Sequence, residues 1–191
     1  MRSIPFPLFL CALLIMQTGR AQEHSLSLSP FISYDRFQAS GFDAGLDYGA
    51  ALSVRVVDGL SVRAGAALGS RSTTFDVAGG TRNLNGRLSE LSLSMEYRII
   101  GTGGSPSLLL SLGGGRISTT VDATTVSLGA LGTLTIPAHA ASHGFAEGGL
   151  TGILPVSRGV GIFLRPALRS TGAGSNSPDV SIAGGLRVGL F

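Results

Sequence analysis

The chain has 191 residues and a formal net charge of +3, yet only 13% of it is charged, all 14 cations are Arg, and 29 residues are Gly. Lys normally solvates a surface, whereas Arg is favoured where charge must be paired and partly buried, so this composition suits a water-facing globule poorly. No basic run points to nucleic acid, and no segment beyond the N-terminus approaches the ~20 apolar residues of a transmembrane helix.

Residues 1–21 read as a secretory signal peptide. Arg2 precedes an apolar run from Ile4 to Met16, and Gly19 and Ala21 supply small residues for cleavage. Cys11 lies inside that segment, so residues 22–191 form a single exported domain with no disulfide and no thiol chemistry. Arg2 and Arg20 fall in it too, leaving 12 Arg against 11 acids.

From there the chain alternates with period two, the signature of strands with unlike faces. Eight strands are predicted: Ser25–Phe37, Phe42–Val57, Leu60–Phe75, Gly86–Ile100, Pro106–Val121, Ala140–Val156, Val160–Thr171 and Val180–Phe191. In the fourth, Leu91, Leu93, Met95, Tyr97 and Ile99 form one side, and Glu90, Ser92, Ser94, Glu96 and Arg98 the other. The connections alternate short and long. Asp58-Gly59, "GTGGS" from Gly101 and Ser157–Gly159 are tight; "QASG", "VAGGTRNLN" from Val77, the stretch Asp122–Pro137 and "GAGSNSPD" are longer. Short turns at one end and long loops at the other are the pattern of an outer-membrane barrel. A secreted β-sandwich also alternates, but its strands usually run about 5–6 residues, whereas these run twelve or more. The non-apolar face, mostly Gly, Ala and Ser with a few charges, suits a narrow lumen. The fold class predicted is therefore all-β, an eight-stranded antiparallel up-and-down transmembrane β-barrel occupying residues 22–191 in a bacterial outer membrane.

The runs "AGLDYGAALSVRVVDGLSVRAGAAL", "LSELSLSMEYRI" and "PSLLLSLGGGRIS", with the ending "GGLRVGLF", resemble the PorT-like family of small (OmpA- or OmpX-like) outer-membrane β-barrel proteins. That resemblance implies the same barrel, outer-membrane lipid as its surroundings, and recognition by the barrel-assembly machinery through a last strand ending in Phe191. It implies no shared activity. Phe191 departs from the usual lipid-facing parity, since it shares its side with Arg187. Without Trp and with only Tyr34, Tyr48 and Tyr97, the aromatic girdles are thin.

Parity directs Asp35, Asp47, Arg55, Arg63, Glu90, Glu96, Arg98, Glu147, Arg165, Arg169 and Arg187 into the lumen. The turns suggest a register in which Arg55 faces Arg63, a repulsive pair that needs a carboxylate, with Glu96 on the strand after Arg63 at the height to supply it; Glu147 faces Arg169, and Arg165 lies near Arg187. Stacked Arg–carboxylate layers closing the lumen are expected, with a structural role; a narrow ion path through them is the sharper alternative. A lipid-modifying hydrolase is the second alternative, with Ser142, His143 and Glu147 as candidates and His139 nearby. Adjacent Ser142 and His143 point to opposite faces of a strand, and His143 and Glu147 stand ~13 Å apart along it, so catalysis is not expected. No cofactor or metal is expected: no ligand spacing occurs, and the glycine runs precede no helix. Within Asp122–Pro137, "TTVSL" and "TLTI" flank "GALG", a hairpin pattern. It is read as a projection able to bind an extracellular protein by strand addition, the alternative being an additional membrane pair and ten strands.

Overall fold

The computed structural model describes residues 25–36, 44–77, 80–102, 104–127, 132–171 and 178–190. The segment 1–21 and Phe191, on which the export and assembly readings rest, lie outside the described residues.

Ten strands form: β1 Leu26–Arg36, β2 Gly45–Val57, β3 Leu60–Val77, β4 Gly80–Ile100, β5 Ser107–Val121, β6 Thr124–Ser127, β7 Thr133–Ile136, β8 His139–Ser157, β9 Val160–Thr171 and β10 Asp179–Gly189. Eight of them close into one antiparallel barrel in the order β1-β10-β9-β8-β5-β4-β3-β2. β6 and β7 pair only with each other, so the hairpin within Asp122–Pro137 stands outside the barrel and the ten-stranded alternative falls. The closing seam joins the two ends of the chain, running from Ser27 opposite Gly189 to Arg36 opposite Val180.

One boundary differs from expectation. Val77 and Gly80–Asn85, expected in a loop, are strand: β3 and β4 pair without interruption from Leu60–Tyr97 out to Val77–Gly80. Strict alternation of apolar and polar residues fades past Ser70, and the predicted strands end at Phe75 and resume only at Gly86. Thr73, Thr74, Phe75 and Val77 still favour extended backbone, and each added pair completes another rung of the ladder.

The alternation is expressed as inside against outside. Along β9, Phe163, Arg165, Ala167, Arg169 and Thr171 are buried while Ile162, Leu164, Pro166, Leu168 and Ser170 are exposed. Leu46, Tyr48, Leu91, Leu93, Met95 and Leu112 are all more than half exposed on the outer wall, as are Tyr34 and Tyr97. The buried set is polar: Asp35, Asp47 and Glu96 are each only 1% exposed. A small apolar cluster, Leu88, Ile117 and Phe145, sits inside toward the loop end.

Turn geometry sets the register. Gly59 and Gly159 take φ values of +77° and +78°, the left-handed conformation glycine adopts without penalty. Beside them the pairing steps over Val56 in β2 and Val156 in β8, and a third step passes Ile99 in β4. Such bulges break the alternation locally, so Val56 and Val57 both face outward, as do Ile99 and Ile100. The bulge also corrects the expected register: Arg55 lies opposite Ser61, and Arg63 opposite Ser53, so the repulsive Arg55–Arg63 pair does not form.

Candidate functional site

Inside the barrel the charged residues form a continuous column. At the level nearest the short turns, Glu96 receives Arg63 at 3.7 Å and Arg187 at 3.3 Å. Arg187 also donates through Nε to Ser27 Oγ at 3.1 Å. The Arg63 guanidinium lies between two rings, 5.6 Å from the centre of Phe31 and 5.5 Å from that of Phe163. These cation–π contacts contribute most where the cation is desolvated. Glu96, Arg63, Arg187 and Phe163 thus pack as one group at this level.

The middle of the column is organised around Arg169. Its two terminal nitrogens donate to the two oxygens of Glu90 at 2.8 and 2.9 Å, a bidentate pair. Its Nε donates to Glu147 at 3.2 Å, and Nη1 also reaches Asp35 at 3.4 Å. The plane stacks 4.8 Å from the Phe145 ring centre. Arg165 donates to the other oxygen of Glu147 at 2.5 Å, and Ser33 donates to Asp35 at 2.9 Å. Toward the loops, Arg71 pairs with Asp47 at 2.5 Å and also donates to the Leu46 carbonyl. Burial of a lone ion is costly; here each of these carboxylates accepts from at least one guanidinium, which is the condition for a buried charge to persist.

Eight of the eleven residues assigned to the lumen by parity are buried in this column: Asp35, Asp47, Arg63, Glu90, Glu96, Glu147, Arg165 and Arg169. Arg187 joins it at its lower edge. Arg55 and Arg98 line the mouth below it instead. Glu147 does face Arg169 in register. Arg165 is not beside Arg187: Arg165 lies opposite Ala183 and Arg187 opposite Gly161, four positions apart on β9, because the β9–β10 pairing runs unbroken without a bulge.

The sequence reading missed Arg71 and Asp179, both buried, although each sits on inward parity. It also missed the inward aromatics Phe31, Phe145 and Phe163, which occupy positions matched by missing side chains on neighbouring strands. A Cβ at Gly49 would meet the Phe31 ring at 2.7 Å, and one at Gly115 the Phe145 ring at 2.8 Å. Glycine on one strand thus makes room for a ring on another.

The residues weighed for catalysis are not brought together. Ser142 faces outward, where it accepts from Arg116 Nε and lies 3.2 Å from Ser118 Oγ. His143 takes the opposite, inward parity across from Ile117, His139 is exposed at the rim, and Glu147 is held by Arg165 and Arg169.

No protein-family model matches the chain, and no curated protein matches it. Among solved structures, Neisserial surface protein A superposes with a TM-score of 0.57 at 10% identity, over 87% of this chain and 97% of that one. The outer membrane protein OprG from Pseudomonas aeruginosa superposes with a TM-score of 0.57 at 8% identity, over 89% of this chain and 98% of that one. At such identities the likeness is one of fold: a closed eight-stranded barrel.

Proposed function

We propose that the chain is an integral outer-membrane β-barrel protein whose lumen is filled by a structural ion-pair column and whose loop end carries a binding surface. The observation that supports this reading is the inversion of burial: a closed barrel with an apolar outer wall and ionised residues inside. Monomeric soluble proteins rarely expose contiguous apolar patches beyond a few hundred Å². A lipid bilayer removes that cost, and closure leaves no unpaired strand edge within it. In this reading the tight turns and both ends of the barrel chain face the periplasm, and β6–β7 projects outside as a two-stranded edge for an extracellular protein. Residues 1–21 direct export, and Phe191 serves the assembly machinery. The PorT-like kinship, resting on the sequence runs quoted above, belongs to the same proposal.

The test is expression of the full chain in a Gram-negative host, followed by outer-membrane isolation and gel electrophoresis of unboiled and boiled samples. A faster-migrating unboiled band in the outer-membrane fraction is expected; a single band in the soluble periplasm would overturn the proposal. Deleting 124–136 should leave that mobility shift intact while abolishing capture of any extracellular partner. Loss of the shift would make the hairpin part of the barrel's own stability.

A further inference from the structure

The outer wall changes character on one side, toward the end away from the tight turns. Among the described side chains of the barrel strands, the charged ones that face outward are Arg87 on β4 and Arg116 on β5, both cations. Below them the same strands present Leu91, Leu93, Met95 and Leu112. One row above Arg116 the apolar residues give way to hydroxyls: Ser89, Ser118 and Ser142 stand side by side in register across β4, β5 and β8. Ser142 Oγ accepts from Arg116 Nε and donates to the Ile117 carbonyl at 3.3 Å, which fixes the guanidinium against the wall. Its two terminal nitrogens meet no acceptor among the described residues, and no described carboxylate pairs with Arg87 or Arg116. Asp122 lies past the end of β5.

Beside and below this guanidinium the wall loses its side chains. Gly144 stands opposite Arg116, then Ala146 opposite Gly114 and Gly148 opposite Leu112. On the flanking strands Leu93, paired with Gly114, and Leu168, paired with Gly148, project on either side, each more than half exposed. The result is a shallow trough two strands wide, about 10 Å across. The barrel's own packing does not require it. Neither Gly144 nor Gly148 has a positive φ, and a Cβ would come no nearer than 3.8 Å to the Gly115 carbonyl oxygen at the first and 3.4 Å to a Leu112 methyl at the second. From this juxtaposition we infer that the outer wall holds one anionic lipid, its phosphate on Arg116 and Ser142 and an acyl chain along the trough past Gly144, Ala146 and Gly148. The inference rests on the membrane reading above, which sets hydrocarbon against this wall. A guanidinium at the edge of hydrocarbon has little water to answer its charge, and its forked donors match phosphate oxygens. Arg87 adds positive potential on the loop side, which favours an anionic headgroup over a neutral one.

The experiment is native mass spectrometry of the full chain, folded in maltoside micelles and titrated with phosphatidic acid. Saturable retention of one lipid per barrel is expected, weakened about tenfold by Arg116→Gln, which removes a charge-assisted donor. Gly144→Leu, which fills the trough and leaves the charge in place, should weaken it severalfold. Both changes face outward and the gel mobility shift verifies that each variant still closes. Arg158→Gln, in the exposed β8–β9 turn at the opposite end, should leave retention unchanged. Absence of saturable retention, equal retention by the Arg116→Gln or Gly144→Leu protein, or equal retention of diacylglycerol with the same chains would overturn the assignment. Displacement of the lipid by inorganic phosphate would transfer the site to the free ion and also overturn it. A chain that shifts on the gel and sits in the outer-membrane fraction yet retains no lipid loses this site and keeps its membrane reading; a soluble periplasmic band refutes both.

Discussion

Arg169 is the side chain on which the interior most depends, and replacing it gives the sharpest test of the column. Arg169→Met keeps length and apolar bulk but removes the guanidinium that donates to Glu90, Asp35 and one oxygen of Glu147. Glu147 retains Arg165 and Asp35 retains Ser33, so Glu90 bears most of the loss. Its bidentate contacts are two charge-assisted bonds of about 1.5–3 kcal/mol each, and breaking a buried pair by removing one partner typically costs about 3–5 kcal/mol. Arg169→Met should therefore destabilise the barrel by about 3–5 kcal/mol. Glu90→Gln alone should cost about 1–2 kcal/mol, because Arg169 still reaches Glu147 and Asp35. In the double variant the stranded charge is gone, so the combined cost should fall short of the sum by about 2–3 kcal/mol. Urea unfolding of the chain folded into lipid vesicles, followed by far-UV circular dichroism and gel mobility, measures all four corners of the cycle. A coupling within about 0.5 kcal/mol of zero would show that Arg169 and Glu90 do not act as a pair.

Three further perturbations probe the wall, the packing and the lower layer. Met95→Arg, at the centre of the outward run on β4, should cost about 2–4 kcal/mol in vesicles if that wall meets hydrocarbon, whereas a change under about 0.5 kcal/mol in the same unfolding assay would argue against a membrane. Gly113→Ala should destabilise by about 1–3 kcal/mol, since the added methyl would strike the backbone of Leu93 and Ser94. Gly152→Ala, whose methyl would come no nearer than 4.0 Å to its closest neighbour, should be close to neutral, and equal effects at the two sites would refute the packing argument. Glu96→Ala should destabilise more than Glu96→Ala combined with Arg63→Ala, because the single change leaves Arg63 buried between two rings without its carboxylate; simple additivity would dissolve that pairing.

Period-two patterning made the barrel legible in the sequence, because a strand in a closed wall has only two directions to point. The same parity placed Glu90, Glu96, Glu147, Arg165 and Arg169 inside. Register was less accessible. A bulge at Val56 displaces every partner above it, and nothing in "VRVVDGL" distinguishes a bulged turn from a plain one before the glycine's φ is known. Parity also says which way a side chain points without saying what stands across the lumen. Arg169 meets Glu90 from a non-adjacent strand, a contact that depends on barrel radius and strand stagger rather than on any local run. Arg71 and Asp179 were recoverable in principle, but Asp179 was cut off by a boundary drawn one residue late. The strand ends past Phe75 and before Gly86 escaped notice because alternation was the detector, and that signal fades where the residue types cease to alternate.

The seam between β1 and β10 carries a consequence for how the chain is built. Arg169 takes its carboxylates from positions 134, 79 and 22 residues away, on β1, β4 and β8. A hairpin or a half-sheet can satisfy none of the two longer contacts, so a partly assembled wall holds ionised groups with nothing to answer them. The interior thereby acts as a proofreader of topology: an open or mis-ordered sheet carries an electrostatic penalty that disappears only at closure. Because this reward arrives last, weakening it should quicken disassembly while barely slowing assembly. For a protein without a single covalent cross-link among its described residues, that late reward is what makes closure hard to reverse.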